Sequence, residues 1–164
     1  MSDTPAEKRA PCIWVDADAT PKPVREILCK AALRTHVHMY FVANHALPLP
    51  TLEWIHSIQV AAGFDAADHH IAQNCQPGDL VITQDIPLAS EVIDKKVEAI
   101  HPRGEPYSPQ TIRQKLNMRD FMETLRSSGI QSGGPAAFDQ KDRQTFANTL
   151  DRWLARSLAA RSKQ

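Results

Sequence analysis

The chain has 164 residues, enough for one domain that folds without staples and buries about two-thirds of its unfolded surface. Its 19 Lys and Arg balance 19 Asp and Glu, so no global field steers it toward nucleic acid, and a polyanion would have to be held by a local patch or a metal ion. Cys12, Cys29 and Cys75 match neither a disulfide framework nor a zinc-ligand spacing and read as reduced thiols, mostly buried. The first residues are polar and lack the apolar core of a signal peptide, and no apolar run approaches the ~18 residues of a membrane span. The expectation is a soluble cytoplasmic protein: a flexible tail over 1–11, one α/β domain over 12–156 and a second tail over 157–164.

The stretch C-I-W-V-D-A-D-A-T-P, Cys12 to Pro21, opens the domain. Ile13 to Val15 is a short apolar strand that delivers Asp16 and Asp18 to the point where a helix should begin. Two acids this close need a metal ion, a shared proton or open solvent. Thr20 can cap the following helix with Pro21 or Pro23 in its first turn, and Ile27, Leu28, Ala31 and Ala32 give its apolar face. Val37 to Ala43 reads as a second strand, and Asn44 to Thr51, with Pro48 and Pro50, as a loop.

A third strand is predicted over 57–61, followed by a helix capped by Asp65, with Asp68 in its first turns and Ala67, Ile71, Ala72 and Cys75 at helical spacing. Asp79 to Thr83 is the most strand-like run and ends at Asp85, just before a helix over 87–95. Val97 to Ile100 makes a fifth strand. From Tyr107 the chain turns helical: a helix opened by Ser108-Pro109 runs, with a break, to Ser128. After Ser132-Gly133-Gly134-Pro135, Phe138, Phe146, Leu150, Trp153 and Leu154 mark one face of a closing helix. The 107–156 segment reads as a helical cap on a mainly parallel sheet with helices on both faces.

A parallel sheet puts all strand carboxyl ends on one edge, which would bring Asp16, Asp18 and Asp85 together and let Asp68 join them. Such carboxylates suit Mg²⁺ or Mn²⁺, which favour oxygen ligands and leave room for substrate phosphate. That donor set can activate water against a phosphodiester. Asp65 and Asp79 read as cap or turn residues. The run D-A-D-A-T also resembles the first motif of haloacid-dehalogenase-type phosphatases, in which Asp16 would attack phosphorus as nucleophile. G-D-x-x-x-x-D, Gly78 to Asp85, resembles that superfamily's late acidic motif, although the lysine-bearing motif has no clear match.

For phosphate, Arg103 follows a strand end and is equally suited to a structural ion pair, while Ser132, Gly133 and Gly134 could form a backbone nest for an anion. His69 and His70 are adjacent on a helix and point apart, and His36, His38, His45, His56 and His101 show no metal spacing, so none is assigned to catalysis. Nothing matches a dinucleotide loop or a Walker P-loop.

Together W-V-D-A-D-A-T-P, V-A-N, Q-V-A-A-G-F-D-A-A-D, G-D-L-V-I-T-Q-D-I-P-L-A, P-R-G-E-P-Y, L-N-M-R-D-F-M and S-G-G-P-A-A-F followed by D-R-Q-T-F-A-N-T-L-D resemble the YaiI/YqxD family of uncharacterised bacterial proteins, from about Ile13 to Leu154. Where that family commonly reads D-A-C-P, this chain has Thr20. The family is in turn similar, more distantly, to PIN-type nuclease domains. That resemblance implies a PIN-like sheet, with Asp16, Asp68 and the Thr83-Gln84-Asp85 run at the positions of the nuclease's acids. It implies metal-dependent cleavage of RNA or another phosphodiester by a water nucleophile. With the carboxylates at two strand ends, the expectation is a Mg²⁺- or Mn²⁺-dependent phosphodiesterase acting on RNA, with metal on Asp16, Asp68 and Asp85, Asp18 supporting the site or orienting water, and Arg103 steadying phosphate. The alternatives are a phosphomonoesterase and a catalytically inactive domain that binds RNA or protein; a shared fold does not decide among them.

Overall fold

The computed structural model describes residues 10–63, 66–127 and 137–162. Five strands and three helices come first, with a loop and no helix between β2 and β3: β1 (Ile13–Asp16), α1 (Lys22–Thr35), β2 (Met39–Ala43), β3 (Ile55–Gln59), α2 (Ala66–Asn74), β4 (Leu80–Ile82), α3 (Ile86–Asp94) and β5 (Glu98–Ile100). Two long helices follow, α4 (Pro109–Ser127) and α5 (Gln140–Ser162). All four strand pairings are parallel, in the order β3-β2-β1-β4-β5. The chain therefore winds outward from β1 in one direction, returns, and winds outward in the other. The carboxyl ends of β1 and β4 flank the point of reversal, where open α/β sheets leave a crevice for ligands.

Alternation along the strands builds two cores. Ile13 and Val15 of β1, Met39 and Phe41 of β2, and Leu80 and Ile82 of β4 face α1 and α5. Trp14, Val42 and Val81 face α2, α3 and α4. Strands apolar on both faces are what a doubly covered parallel sheet demands. Phe146, Leu150, Trp153 and Leu154 all enter the α1-side core, as their spacing predicts. Phe138 packs on the same core from the stretch before α5 rather than from within the helix. The two terminal helices cover the two faces: α4 joins α3 on one and α5 joins α1 on the other.

Several local expectations shift. Thr20 does not cap α1; Pro21 is the N-cap and Thr20 Oγ1 donates instead to the Asp16 carbonyl at 2.8 Å. The third strand begins two residues earlier than its pattern suggests, because Ile55 is drawn into the core beside Met39. Helix α5 runs to Ser162, through residues expected to fray, with Ser157 buried and Leu158 packed on the core. The expected cap Asp65, the nest of Ser132, Gly133 and Gly134, and most of the N-terminal tail lie outside the described residues.

Among the described residues no helix is long and apolar enough to cross a membrane. Cys12, Cys29 and Cys75 are in no disulfide among the described residues, with Cys12 and Cys75 buried and Cys29 half-buried.

Candidate functional site

At the carboxyl edge the β1 and β4 corners are tied together through Thr83. Its fully buried hydroxyl donates to Asp16 Oδ2 at 2.9 Å and accepts from the Asp85 backbone N–H at 2.9 Å. One side chain thus fixes the spacing of two acids that the sequence separates by α1, β2, β3, α2 and β4. Gln84 adds a second tie by donating its side-chain amide to the Ala19 carbonyl. From behind, the buried Tyr107 hydroxyl donates to the Thr83 carbonyl at 3.1 Å. Burial, with Glu105 and Asp85 adding to it, pushes that phenol well above its ordinary range and keeps it a donor.

Asp16 is only 6% exposed. Burial raises its carboxyl, the Thr83 hydrogen bond works against the rise, and the negative charges of Asp85 and Asp18 add to it, in that order. Asp85 is the N-cap of α3, with Oδ1 accepting from Leu88 N–H at 2.8 Å. That role leaves its charge at the positive end of a helix. Asp18 sits in the 3-10 turn Ala17–Ala19 and is gripped from β2: Asn44 N–H donates to Oδ2 at 2.9 Å, and His45 Nδ1 lies 3.0 Å from Oδ1.

Asp68 stands half-buried in the first turn of α2. That helix packs on β1 and β2, and, like every helix following a parallel strand, starts at the carboxyl edge. Yet among the described residues no three His, Cys, Asp or Glu side chains gather into a group that could hold a metal ion. The expected metal trio of Asp16, Asp68 and Asp85 is thus not a preformed three-carboxylate cage. Asp16 is held across the sheet by Thr83, Asp85 caps the start of α3, and Asp68 stands on α2.

Arg103 is engaged in a structural ion pair, its Nη1 2.6 Å from Asp142 Oδ2 and its guanidinium 5.9 Å above the Phe138 ring. It ties the loop after β5 to the start of α5.

Two things escaped the sequence reading. His45 is one, an imidazole oriented by Asp18; the available signal was V-A-N-H at the end of the strand that pairs with β1. The other is Asp79, which lies buried at the opposite end of the sheet and accepts from Cys12 N–H at 3.1 Å, Trp14 Nε1 at 3.1 Å and Gln76 N–H at 2.8 Å. It organises the amino edge. Beside it, Trp14, Tyr40 and His56, cross-strand partners on β1, β2 and β3, stack at centroid distances of 4.5 and 4.6 Å. His38 Nδ1 closes the row 2.8 Å from His56 Nε2.

The fold and its edge define a class: an α/β protein with a doubly covered parallel sheet and an acidic corner at the point of strand reversal. Residues 14–156 match the sequence profile described as "Uncharacterized BCR, YaiI/YqxD family". A UPF0178 protein of Aliivibrio salmonicida is 60% identical over 144 residues, 88% of this chain and 95% of that protein. One from Halorhodospira halophila is also 60% identical with the same coverage, and one from Pectobacterium atrosepticum is 57% identical over 142 residues, 87% of this chain and 95% of that protein. This chain belongs to the YaiI/YqxD family. No solved structure matches it.

Proposed function

We propose that the Asp16–Thr83–Asp85 corner is a divalent-cation site at which a phosphodiester, RNA by preference, is hydrolysed. The observation that carries this reading is the electrostatics of Asp16: a buried carboxylate whose named charged neighbours, Asp85 and Asp18, are both negative. Such a group is stabilised by a bound cation. Asp16 and Asp85 would hold Mg²⁺ or Mn²⁺ through the oxygens that Thr83 and Leu88 N–H do not engage. These ions accept one or two protein carboxylates because water and substrate phosphate complete their shell. When bound, the ion supplies a water activated for attack and charge stabilisation at phosphorus.

The remaining roles fall to groups of the chain. Thr83 holds the two carboxylates in register. Asp18, fixed by Asn44, orients water and the His45 ring, and His45, with its side chain 60% exposed, is suited to giving a proton to the leaving oxygen. The distant resemblance to PIN-type nucleases implies the same reaction class and the acids Asp16 and Asp85, with Asp68 as a third.

The test is calorimetric Mn²⁺ binding together with cleavage of labelled RNA by the purified chain. Asp16→Asn and Asp85→Asn should each lower cleavage by about 100-fold or more, and both should weaken metal binding. A chain that binds no divalent ion, with any RNA cleavage untouched in Asp16→Asn, sinks the proposal. The Thr20 hydrogen bond to the Asp16 carbonyl, which steadies this turn, also fits the phosphomonoesterase reading. That reading predicts monoester hydrolysis and trapping of beryllium fluoride on Asp16. A catalytically inactive binding domain would have neither turnover nor metal dependence while keeping salt-sensitive RNA affinity.

A further inference from the structure

Between α1 and the loop after β2 runs a cleft of about 520 Å³, lined by Lys22, Arg25, Glu26, Cys29, Lys30 and the Pro48-Leu49-Pro50 run. Its volume falls within the ~300–1,000 Å³ of ordinary ligand sites. Positions 22, 25, 26, 29 and 30 follow i, i+3, i+4, i+7, i+8 and so form one stripe of α1, distinct from the core stripe of Val24, Leu28, Ala31 and Ala32. Three cations against one carboxylate make this wall positive in a chain whose total charge is zero. Burial raises the Cys29 thiol, so at neutral pH it contributes a neutral surface. The facing wall, Pro48-Leu49-Pro50, is apolar and set by Leu47, Leu49 and Leu52 packing on the core.

Both walls grow out of the acidic corner. Arg25 Nη1 donates to the Thr20 carbonyl at 3.1 Å, and Thr20 Oγ1 donates to the Asp16 carbonyl. On the other side, Asn44 and His45, which hold Asp18, are the first residues of the loop that carries Pro48-Leu49-Pro50. A strand of alternating anionic and flat apolar groups entering the cleft is therefore led to Asp16 and Asp18.

We infer that this cleft is the binding groove for single-stranded nucleic acid: phosphates lie along Lys22, Arg25 and Lys30, and a base or sugar lies against Pro48-Leu49-Pro50. The inference rests on the phosphodiesterase reading of the corner for its direction, and it supplies the local patch that a neutral chain needs to hold a polyanion. It assigns the phosphate contacts to α1 rather than to Arg103, which is paired with Asp142.

The test is fluorescence anisotropy of an end-labelled oligouridylate titrated with the full chain in EDTA, across a series of salt concentrations. A deoxyuridylate of the same length decides whether the sugar is read. Lys22 and Lys30 are exposed, so Lys22→Glu/Lys30→Glu should leave the melting temperature unchanged. It should weaken binding about tenfold or more and flatten the log–log salt slope by about 2. Arg113→Glu, on α4 across the sheet, should bind like the parent. Lysine-dependent binding without metal-dependent cleavage supports the groove and defeats the phosphodiesterase reading alone. A parent chain that binds neither oligonucleotide, a double variant with parental affinity, or an Arg113→Glu loss as large as the lysine loss overturns the groove.

Discussion

Replacing Thr83 by Val tests whether one hydroxyl holds the acidic corner together. The side chain is fully buried and makes two hydrogen bonds of 2.9 Å, one to the Asp16 carboxylate and one from the Asp85 N–H. Valine keeps the shape, so no cavity term enters. Loss of a hydrogen bond to a charged group costs about 1.5–3 kcal/mol, and an N–H deprived of its acceptor costs about 1 kcal/mol where water can reach it, as at half-buried Asp85. The expected total is about 2–4 kcal/mol, which for a chain of this length lowers the melting temperature by roughly 5–12 °C. Urea unfolding followed by circular dichroism measures it directly.

The origin of the loss is separable. In an Asp16→Asn background Thr83 donates to a neutral amide oxygen, so the same substitution should cost about 1 kcal/mol less, and the double-mutant cycle reports that coupling. Thr83→Ser keeps the hydroxyl and should retain the coupling. A Thr83→Val change within about 0.5 kcal/mol of the parent, the range of surface substitutions, would refute the reasoning. Equal costs with and without the Asp16 charge would refute the coupling.

Three further outcomes follow from the same structure. Because the folded-state carboxyl of Asp16 is raised, its ionisation costs stability above the ordinary carboxylate range; Asp16→Asn should therefore melt higher than the parent at neutral pH without added metal, and a lower melting temperature contradicts the assignment. His56 and His101 are both lowered in the fold, chiefly by burial, so the unfolded chain takes up protons first as pH falls. Stability should decline below about pH 6.5, and His56→Phe should flatten that decline; an unchanged slope in unfolding free energy against pH excludes His56 as a source. Gly104 has φ +99°, and a Cβ there would lie 2.6 Å from the backbone of Thr145 and Phe146. Gly104→Ala should cost about 2–5 kcal/mol through strain and displacement of α5, read as a drop in urea midpoint, and a stability equal to the parent's would show that the helix is not seated on this loop.

The alternation of strand and helix was legible because the central strands are covered on both faces, and the runs I-W-V and L-V-I admit no other economical burial. The edge strand β3 was harder. Of Ile55, His56, Ser57, Ile58 and Gln59 only Ile55 is buried, and Trp54 just before them is taken by a stack on His36 at 3.9 Å, so the apparent pattern slid by two residues. The parting of α4 and α5 to opposite faces was not readable at all, since both carry ordinary apolar stripes and the choice depends on what β5 leaves uncovered. At the site, Asp16 and Asp85 could be found because strand ends are local features. The partners of Asp18 could not, because His45 reaches it only when β2 is known to lie beside β1.

The two ends of the β1–β4 pair explain why one buried aspartate is read as structural and the other as functional. Asp79 and Asp16 both belong to this central pair and are both nearly inaccessible, at 1% and 6% exposure. Asp79 receives three N–H donors, from Cys12, Trp14 and Gln76, which together can offset the desolvation of its charge. Asp16 receives the Thr83 hydroxyl and faces the charges of Asp85 and Asp18. A fold gains nothing from burying a carboxylate under those conditions, and a mutation to Asn would relieve it. A cation held there, as proposed, would offset this repulsion. From the sequence, Asp79, just before β4, reads as a cap or turn residue and Asp16, at the end of β1, as a site residue, but the burial and the partners of neither are visible there. The separation comes from what surrounds each carboxylate, and that became visible only when β1 was seen to pair with β4.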